Sequence, residues 1–283
     1  MNKVAIVADS TVDLTPELIN ENKIKILPLT VNFNNESYHD GFDITTKELY
    51  KKIKEKNELP HTAAVTPGEF MQAFEELINA GYDIIFTGIG AKMSKSYENA
   101  CLVSKEFPEG RIEVVNSDNL STGTGLLVMK ACKWRDEGKD VHEIANLMRE
   151  TVPYIRSQFV IDTLEYLHKG GRCSGVARLF GTMLKIHPLI EVRDGTMRVG
   201  AKPRGKMFTA MDKLVEMLKA DAGNIDEDII FITHSESTDG ASYLMPIVKN
   251  LHPTAKIIET RAGCVISTHC GAGTIGILYI LKH

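Results

Sequence analysis

Residues 61–90 read HTAAVTPGEFMQAFEELINAGYDIIFTGIG, and one repeating structural unit is spelled out in them. Thr66 stands three residues before Glu69, the spacing of a capping box, and Pro67 takes the first helical position, where a missing N–H costs nothing. The helix so opened ends near Gly81, and residues 82–89 follow as a strand. The same alternation extends in both directions. Residues 4–7 form an apolar strand closed by Asp9-Ser10-Thr11, and Thr15 before Pro16 starts a helix. Ile24, Ile26, Leu29, Val31 and Phe33 indicate a second strand, with turns at Asn34-Asn35 and Asp40-Gly41 around a small hairpin. Thr45 and Glu48 form a further capping box. Beyond residue 90, Ser94 is expected to open a helix, residues 112–115 a strand and residues 122–138 a helix, and Asp140 with Glu143 caps another. This is the pattern of a mostly parallel sheet flanked by helices.

The pattern pauses at Thr151-Val152-Pro153, which divides the chain into an N-terminal α/β domain (1–152) and a C-terminal α/β domain (153–283). The second half is expected to hold a mixed sheet: a strand at 158–161, two helical stretches within 163–185, and a hairpin turning at Asp194-Gly195. A helix after Arg204, a strand at 229–233, a helix to Leu251 and strands near Ile257 and Ile277 complete it.

The 283 residues are 43% hydrophobic and 25% charged, as in ordinary globular proteins, with a formal net charge of -4. There is no basic stripe, so nucleic acid is not an expected partner. No apolar run approaches the ~18 residues of a spanning helix, and the N-terminus does not read as a secretion signal, so no membrane insertion is expected. Five widely spaced cysteines without a C-x-x-C pair fit reduced thiols in a cytoplasmic protein. The P-loop, H-E-x-x-H and G-x-S-x-G signatures are absent. Gly271-Ala272-Gly273-Thr274-Ile275-Gly276 matches G-x-G-x-x-G, but it stands too near the C-terminus for a dinucleotide βαβ unit, and a tight glycine turn is the better reading.

Polar groups recur where strands end and helices begin, the usual place for ligands in open α/β sheets: Ser10, Thr11, Thr62, Ser94, Ser96, Ser117, Thr268 and His269. Each also suits a cap or turn. The ordered segments ADSTVDLTPEL (8–18), HTAAVTPGEF (61–70), AKMSKSYENA (91–100), DTLEYLHKGGRCSG (162–175), KPRGK (202–206) and STHCGAGTIG (267–276) are more specific. Through them the whole chain resembles the DegV family of bacterial fatty-acid-binding proteins. The resemblance implies two α/β domains with one long-chain fatty acid held between them as ligand, its tail in an apolar tunnel and no cofactor. It also implies a role as the non-catalytic, acyl-carrying subunit of a fatty acid kinase, whose separate ATP-binding partner phosphorylates the carboxylate for phospholipid synthesis. Thr62 and Ser94 match the family's hydroxyls for the carboxylate, and His269 matches a histidine that reaches the same head group. Arg172 and Arg204 match arginines at the tunnel mouth, with partner docking or phosphoryl transfer as their implied role. Here Ala63-Ala64-Val65-Thr66 stands where the family has Ser-Gln-Pro-Ser. Lys95 replaces a glycine, and Cys270 and Ala272 replace a threonine and a proline.

A buried carboxylate needs hydrogen-bond donors, whereas each buried methylene gains about 0.8 kcal/mol, so hydroxyls at one end of a greasy slot suit a fatty acid. Leu179, Phe180, Met183 and Ile186 are candidate tunnel walls, though their spacing equally describes a core face. Two other readings stand beside this one. Ser94 or Ser10 with His269 as base would make an acyl hydrolase or transferase. The same slot would also suit another amphipathic ligand with no kinase partner. A monomer is the expected state.

Overall fold

The computed structural model describes residues 2–174 and 186–283. Its first sheet is wholly parallel, in the order β2 (Lys25–Leu27), β1 (Lys3–Asp9), β6 (Tyr82–Gly88), β7 (Ile112–Asn116). Strand residues alternate between faces. Val4, Ile6 and Ala8 of β1 pack on α5 (Ser121–Asp136) and α6 (Val141–Thr151), whereas Val7, Ile84 and Phe86 pack on α3 (Pro67–Asn79) and α4 (Ser96–Ser104). The helices therefore cover both faces. The capping boxes at Thr45/Glu48, Thr66/Glu69 and Asp140/Glu143 all form, opening α2 (Thr46–Lys56), α3 and α6. Thr15 likewise caps α1 (Pro16–Glu21).

Two local readings are corrected. The strand expected across residues 24–33 is two strands: β2 stays in the parallel sheet, while β3 (Thr30–Phe33) leaves it for a small antiparallel sheet, ordered β4 (Glu36–His39), β3, β5 (His61–Ala63). Pro28 lies between them and has no N–H to continue a ladder. The hairpin turn at Asn34-Asn35 is present. The next helix opens at Ser96, not at Ser94, because the N–H groups of Met93 and Ser94 both close on the Gly90 carbonyl in a preceding turn.

The second half builds a seven-stranded mixed sheet: β13 (Lys256–Arg261), β12 (Ile225–Ser235), β14 (Thr274–Leu281), β8 (Ile155–Val160), β10 (Leu189–Arg193), β11 (Thr196–Val199), β9 (Cys173–Ser174). Among the described residues four of its six pairings are antiparallel; β12–β13 and β11–β9 are parallel. Helices α8 (Met207–Asp221) and α9 (Thr238–Leu251) cover one face. Helix α7 (Glu165–Gly170) and the short α10 (Cys264–Cys270) pack together at the junction with the first half. The second helical stretch expected before residue 185, with Leu179, Phe180 and Met183, lies outside the described residues. The Gly271–Gly276 run leads from α10 into a strand, which agrees with a turn and not with a nucleotide-binding helix start. Among the described residues no helix is long and apolar enough to cross a membrane.

Helix α5 joins the two halves. It touches β1 on one side and β8, β12 and β14 on the other, and its residues from Ser121 to Val128 are all buried. Such burial needs small residues where backbones meet. A Cβ on Gly125 would lie 2.8 Å from the Val12 carbonyl oxygen and 2.9 Å from Leu14 Cδ2. Gly125→Ala should therefore lower stability in urea denaturation by about 1–3 kcal/mol, overriding the roughly 1 kcal/mol that alanine gains over glycine in a free helix. A stabilised variant would show that α5 can shift away from the turn at Val12.

Candidate functional site

At the C-terminal ends of β1 and β6, between the halves, Thr62, Ser94, Arg172 and His269 line a single cavity of about 190 Å³. Each arrives on a different element. Thr62 sits on β5, opposite Val31 of β3; Ser94 on the turn before α4; His269 at the C-terminal end of α10; and Arg172 just past α7. The remaining wall is largely apolar: Leu29, Ala63, Ala64, Ile89, Met93, Leu120, Met197, Val265, Ile266 and Cys270, with Lys95 at the edge. Six of these (Ile89, Met93, Leu120, Met197, Ile266, Cys270) belong to one buried apolar cluster at the junction. A second cavity of about 30 Å³, walled also by Phe159, Leu278, Thr233 and Ser235, shares Leu120, Ile266 and Cys270 with the first.

The hydrogen-bond direction at the polar end follows from which groups lack another partner. Thr62 Oγ1 and His269 Nε2 are 2.9 Å apart. His269 Nδ1 is buried without a partner among the described residues, and it lies so close to Gly170 that a Cβ there would overlap it. Burial, and then the Arg172 charge, lower the His269 pKa from 6.5 to about 4, so the ring is neutral near pH 7. A stranded N–H is rarer than a stranded acceptor, which assigns the proton to Nε2. The imidazole then donates to Thr62 Oγ1 and leaves the threonine O–H free to face the cavity. The serines are arranged alike. The N–H of Val65 donates to Ser96 Oγ at 3.4 Å, the N–H of Ser96 donates to Ser94 Oγ at 3.3 Å, and the two hydroxyls are 3.2 Å apart. Fully buried Ser96 has the Ser94 oxygen within reach as acceptor for its own proton, and that arrangement leaves the Ser94 hydroxyl proton to offer. Two O–H donors suit an acceptor-only group such as a carboxylate.

The other candidates fall elsewhere. Ser10 donates to Asp40 at 2.9 Å and accepts from the Leu29 N–H; Thr11 donates to Asp9 at 2.5 Å, and Ser117 to the Gly88 carbonyl at 2.6 Å. These three stitch strand ends together and line neither cavity. Thr268 Oγ1 is buried with no partner among the described residues. Arg172 donates to the Gly170 carbonyl at 2.8 Å. Arg204 is exposed, in an isolated bridge with Ile186, and unlike Arg172 neither Arg204 nor Ile186 lines either cavity. The serine–histidine pair that a hydrolase would need is not formed, because His269 bonds Thr62 and Ser10 is held by Asp40. Two larger clefts, of about 530 and 680 Å³, are rimmed by charged side chains and gather no comparable set of hydroxyls. Sequence reasoning missed the walls from Leu29, Leu120, Met197 and Ile266, since no local pattern marks residues that only the fold brings together. It also missed α10 as a helix.

The family model described as "Uncharacterised protein, DegV family" matches residues 3–282. A DegV domain-containing protein of Clostridium acetobutylicum is 36% identical over 285 residues, covering 100% of both chains. One from Caldanaerobacter subterraneus is 32% identical over 279 residues, covering 99% of each. Among solved structures, a DegV family protein from Thermus thermophilus described for its fatty acid binding superposes with a TM-score of 0.92 at 26% identity, over 99% of this chain and 100% of that one. A fatty acid binding DegV family protein from Streptococcus agalactiae gives 0.88 at 26% identity over 100% of both.

The neutral imidazole has a consequence for pH. The folded ring stays unprotonated down to about pH 4, whereas in the unfolded chain it takes its proton near 6.5. Between those values the unfolded state binds more protons, so this group makes stability fall as pH drops from 6.5 toward 4. His269→Gln removes that titration, and its urea midpoint should fall less steeply over the window than that of the unsubstituted protein. Parallel curves would show that the ring protonates freely in the fold.

Proposed function

The chain belongs to the DegV family, and on that footing we propose that it binds one long-chain fatty acid, with the carboxylate on Thr62 and Ser94 and the tail against the apolar cluster. The observation that carries this is the cavity itself, in which the Thr62 and Ser94 hydroxyls, with His269 and Arg172 beside them, end a largely apolar wall. Relatives in the same family and fold whose descriptions speak of fatty acid binding support the same ligand class. At about 190 Å³ the cavity is smaller than the roughly 300–1,000 Å³ of ordinary ligand sites, so a long tail must enlarge it. The wall common to both cavities, Leu120, Ile266 and Cys270, is where the tail would pass from one to the other.

The finer reading is presentation of the bound acid to a separate ATP-dependent kinase subunit. That partner would transfer the γ-phosphoryl group to the carboxylate, giving an acyl phosphate and ADP. Arg172 stands on the cavity wall beside His269, where a guanidinium can meet a phosphorylated head; exposed Arg204 would serve the partner's surface.

Native mass spectrometry before and after organic extraction tests the lipid reading: a mass excess removed by extraction and identified as a long-chain acid is expected, and a ligand of another class would overturn it. Thr62→Val and Ser94→Ala should each weaken binding by roughly 1.5–3 kcal/mol, the range for a hydrogen bond to a charged group, on the order of ten- to a hundredfold in Kd. Arg172→Ala and Arg204→Ala should retain the lipid and lose phosphorylation in a reconstituted kinase assay; loss of the lipid instead would assign them to its retention.

A further inference from the structure

The segment ADSTVDL, residues 8–14, contributes nothing to the walls of either cavity, yet it holds two of three buried carboxylates that meet at the junction: Asp9, Asp13 and Asp40, at 0%, 5% and 1% exposure. Asp9 is used within the first half, accepting from the N–H groups of Thr11 and Ile89. The other two reach across the chain. Asp13 accepts from the Gly263 N–H at 2.8 Å and from the Ser121 hydroxyl at 2.5 Å. Asp40 accepts from the Cys264 N–H at 2.6 Å and from the Ser10 hydroxyl at 2.9 Å.

Gly263 is the cap residue of α10 and Cys264 its first residue. The leading N–H groups of a helix have no partner within it, and Gly263 makes no side-chain cap. Two carboxylates from the first half take that place, more than 220 residues away in sequence. A carboxyl oxygen satisfies such an orphaned N–H in either protonation state, and most strongly where the group is ionised. A third tie, from Thr46 Oγ1 to the Ala262 carbonyl at 2.9 Å, fastens the residue just before the cap. Thus α10 is tied at its N-terminus to the first half, although its chain neighbours β13 and β14 lie in the seven-stranded sheet. It is only seven residues long, and its sixth is His269. A displacement at its first turn is therefore a displacement of the imidazole.

We propose that Asp13 and Asp40 are positioning residues for the ligand site: by holding the N-terminus of α10 they set His269 against Thr62, and so aim the threonine hydroxyl into the cavity. This rests on reading the cavity as a fatty acid site, but the geometry it asserts exists without ligand and is separately measurable. The asparagine variants keep size and one acceptor oxygen, and their amide can still donate to the Ser10 or Ser121 oxygen, so they should fold.

The test uses the full chain, with Asp13→Asn and Asp40→Asn against Leu218→Ala, which opens the core under α8 far from α10. In ligand-free protein the His269 ring resonances, assigned by their loss in His269→Gln, should move in both aspartate variants as they do in Thr62→Val, and stay in place in Leu218→Ala. The Kd for cis-parinaric acid, followed by its fluorescence, should rise about tenfold in the aspartate variants, a loss in the range of one hydrogen bond, and remain unchanged in Leu218→Ala. Unmoved His269 resonances in both aspartate variants, or an equal loss of affinity in Leu218→Ala, would overturn the assignment. If the unsubstituted protein fails to bind the probe, the lipid reading falls, while the resonances still decide the positioning role.

Discussion

A carboxylate taken out of water must be given donors where it lands, and the junction between the two halves is organised by that requirement. Asp9, Asp13 and Asp40 are all buried, and burial pushes their pKa values up: Asp9 to about 6, Asp13 well above its ordinary range, Asp40 in the same direction. What opposes the rise is the same in each case, a set of N–H and O–H donors, from neighbouring Thr11 for Asp9 and otherwise from other segments. The donors come from Ile89 after β6, from Ser121 at the head of α5, and from Gly263 and Cys264 at the head of α10. Each carboxylate thus fixes the end of an element that the chain delivers from far away, and the cavity is bounded by those same elements.

That explains where the cavity falls. The C-terminal ends of parallel strands leave an open crevice in α/β sheets, and here it lies over β1 and β6. Helix α10 closes it from the other half and carries the imidazole, and α5, buried between the sheets, supplies Leu120 at its start. No single half holds a complete wall. Residues from β5, the turn before α4, the segment past α7 and α10 have to converge before two hydroxyls face one apolar space.

The sequence disclosed whatever depends on near neighbours. Capping boxes are spacings of three, and all three at Thr45, Thr66 and Asp140 form; the parallel first sheet follows from strand–helix alternation, and it forms in full. The resemblance of ordered motifs named Thr62, Ser94, Arg172 and His269, which one cavity collects, but it also named Arg204, which lies outside it in a bridge with Ile186, a wall candidate from its spacing alone. What stayed illegible has a physical reason. The short β5 has no periodicity to read over three residues. Helix α10 is CVISTHC, an apolar β-branched run of weak helix propensity, made helical by its buried setting and by carboxylates more than 220 residues distant. The break at Pro28 is visible in hindsight as a missing ladder donor, yet only the small sheet explains where the chain goes next.

The two ends of the cavity differ in stiffness, and the difference matches what the proposed ligand would ask of each. At the polar end every side chain is fixed by a second group: Thr62 by His269, His269 by the close approach of Gly170, Ser94 by Ser96, and Ser96 by the Val65 N–H. Donors held in this way lose little entropy when an anion arrives. Ala63 and Ala64, small and apolar on the same wall, add no competing polar group. Lys95 at the rim pairs with Glu98 at 2.7 Å while both remain largely exposed, so that pair is weak and its cation readily redirected. Along the apolar wall the constraints relax. Met93 and Met197 are unbranched and polarisable, and such side chains fill irregular spaces and move aside at small cost. On the proposed lipid reading, a rigid head site beside a yielding wall would fix which head group is held while leaving the tail room to be accommodated.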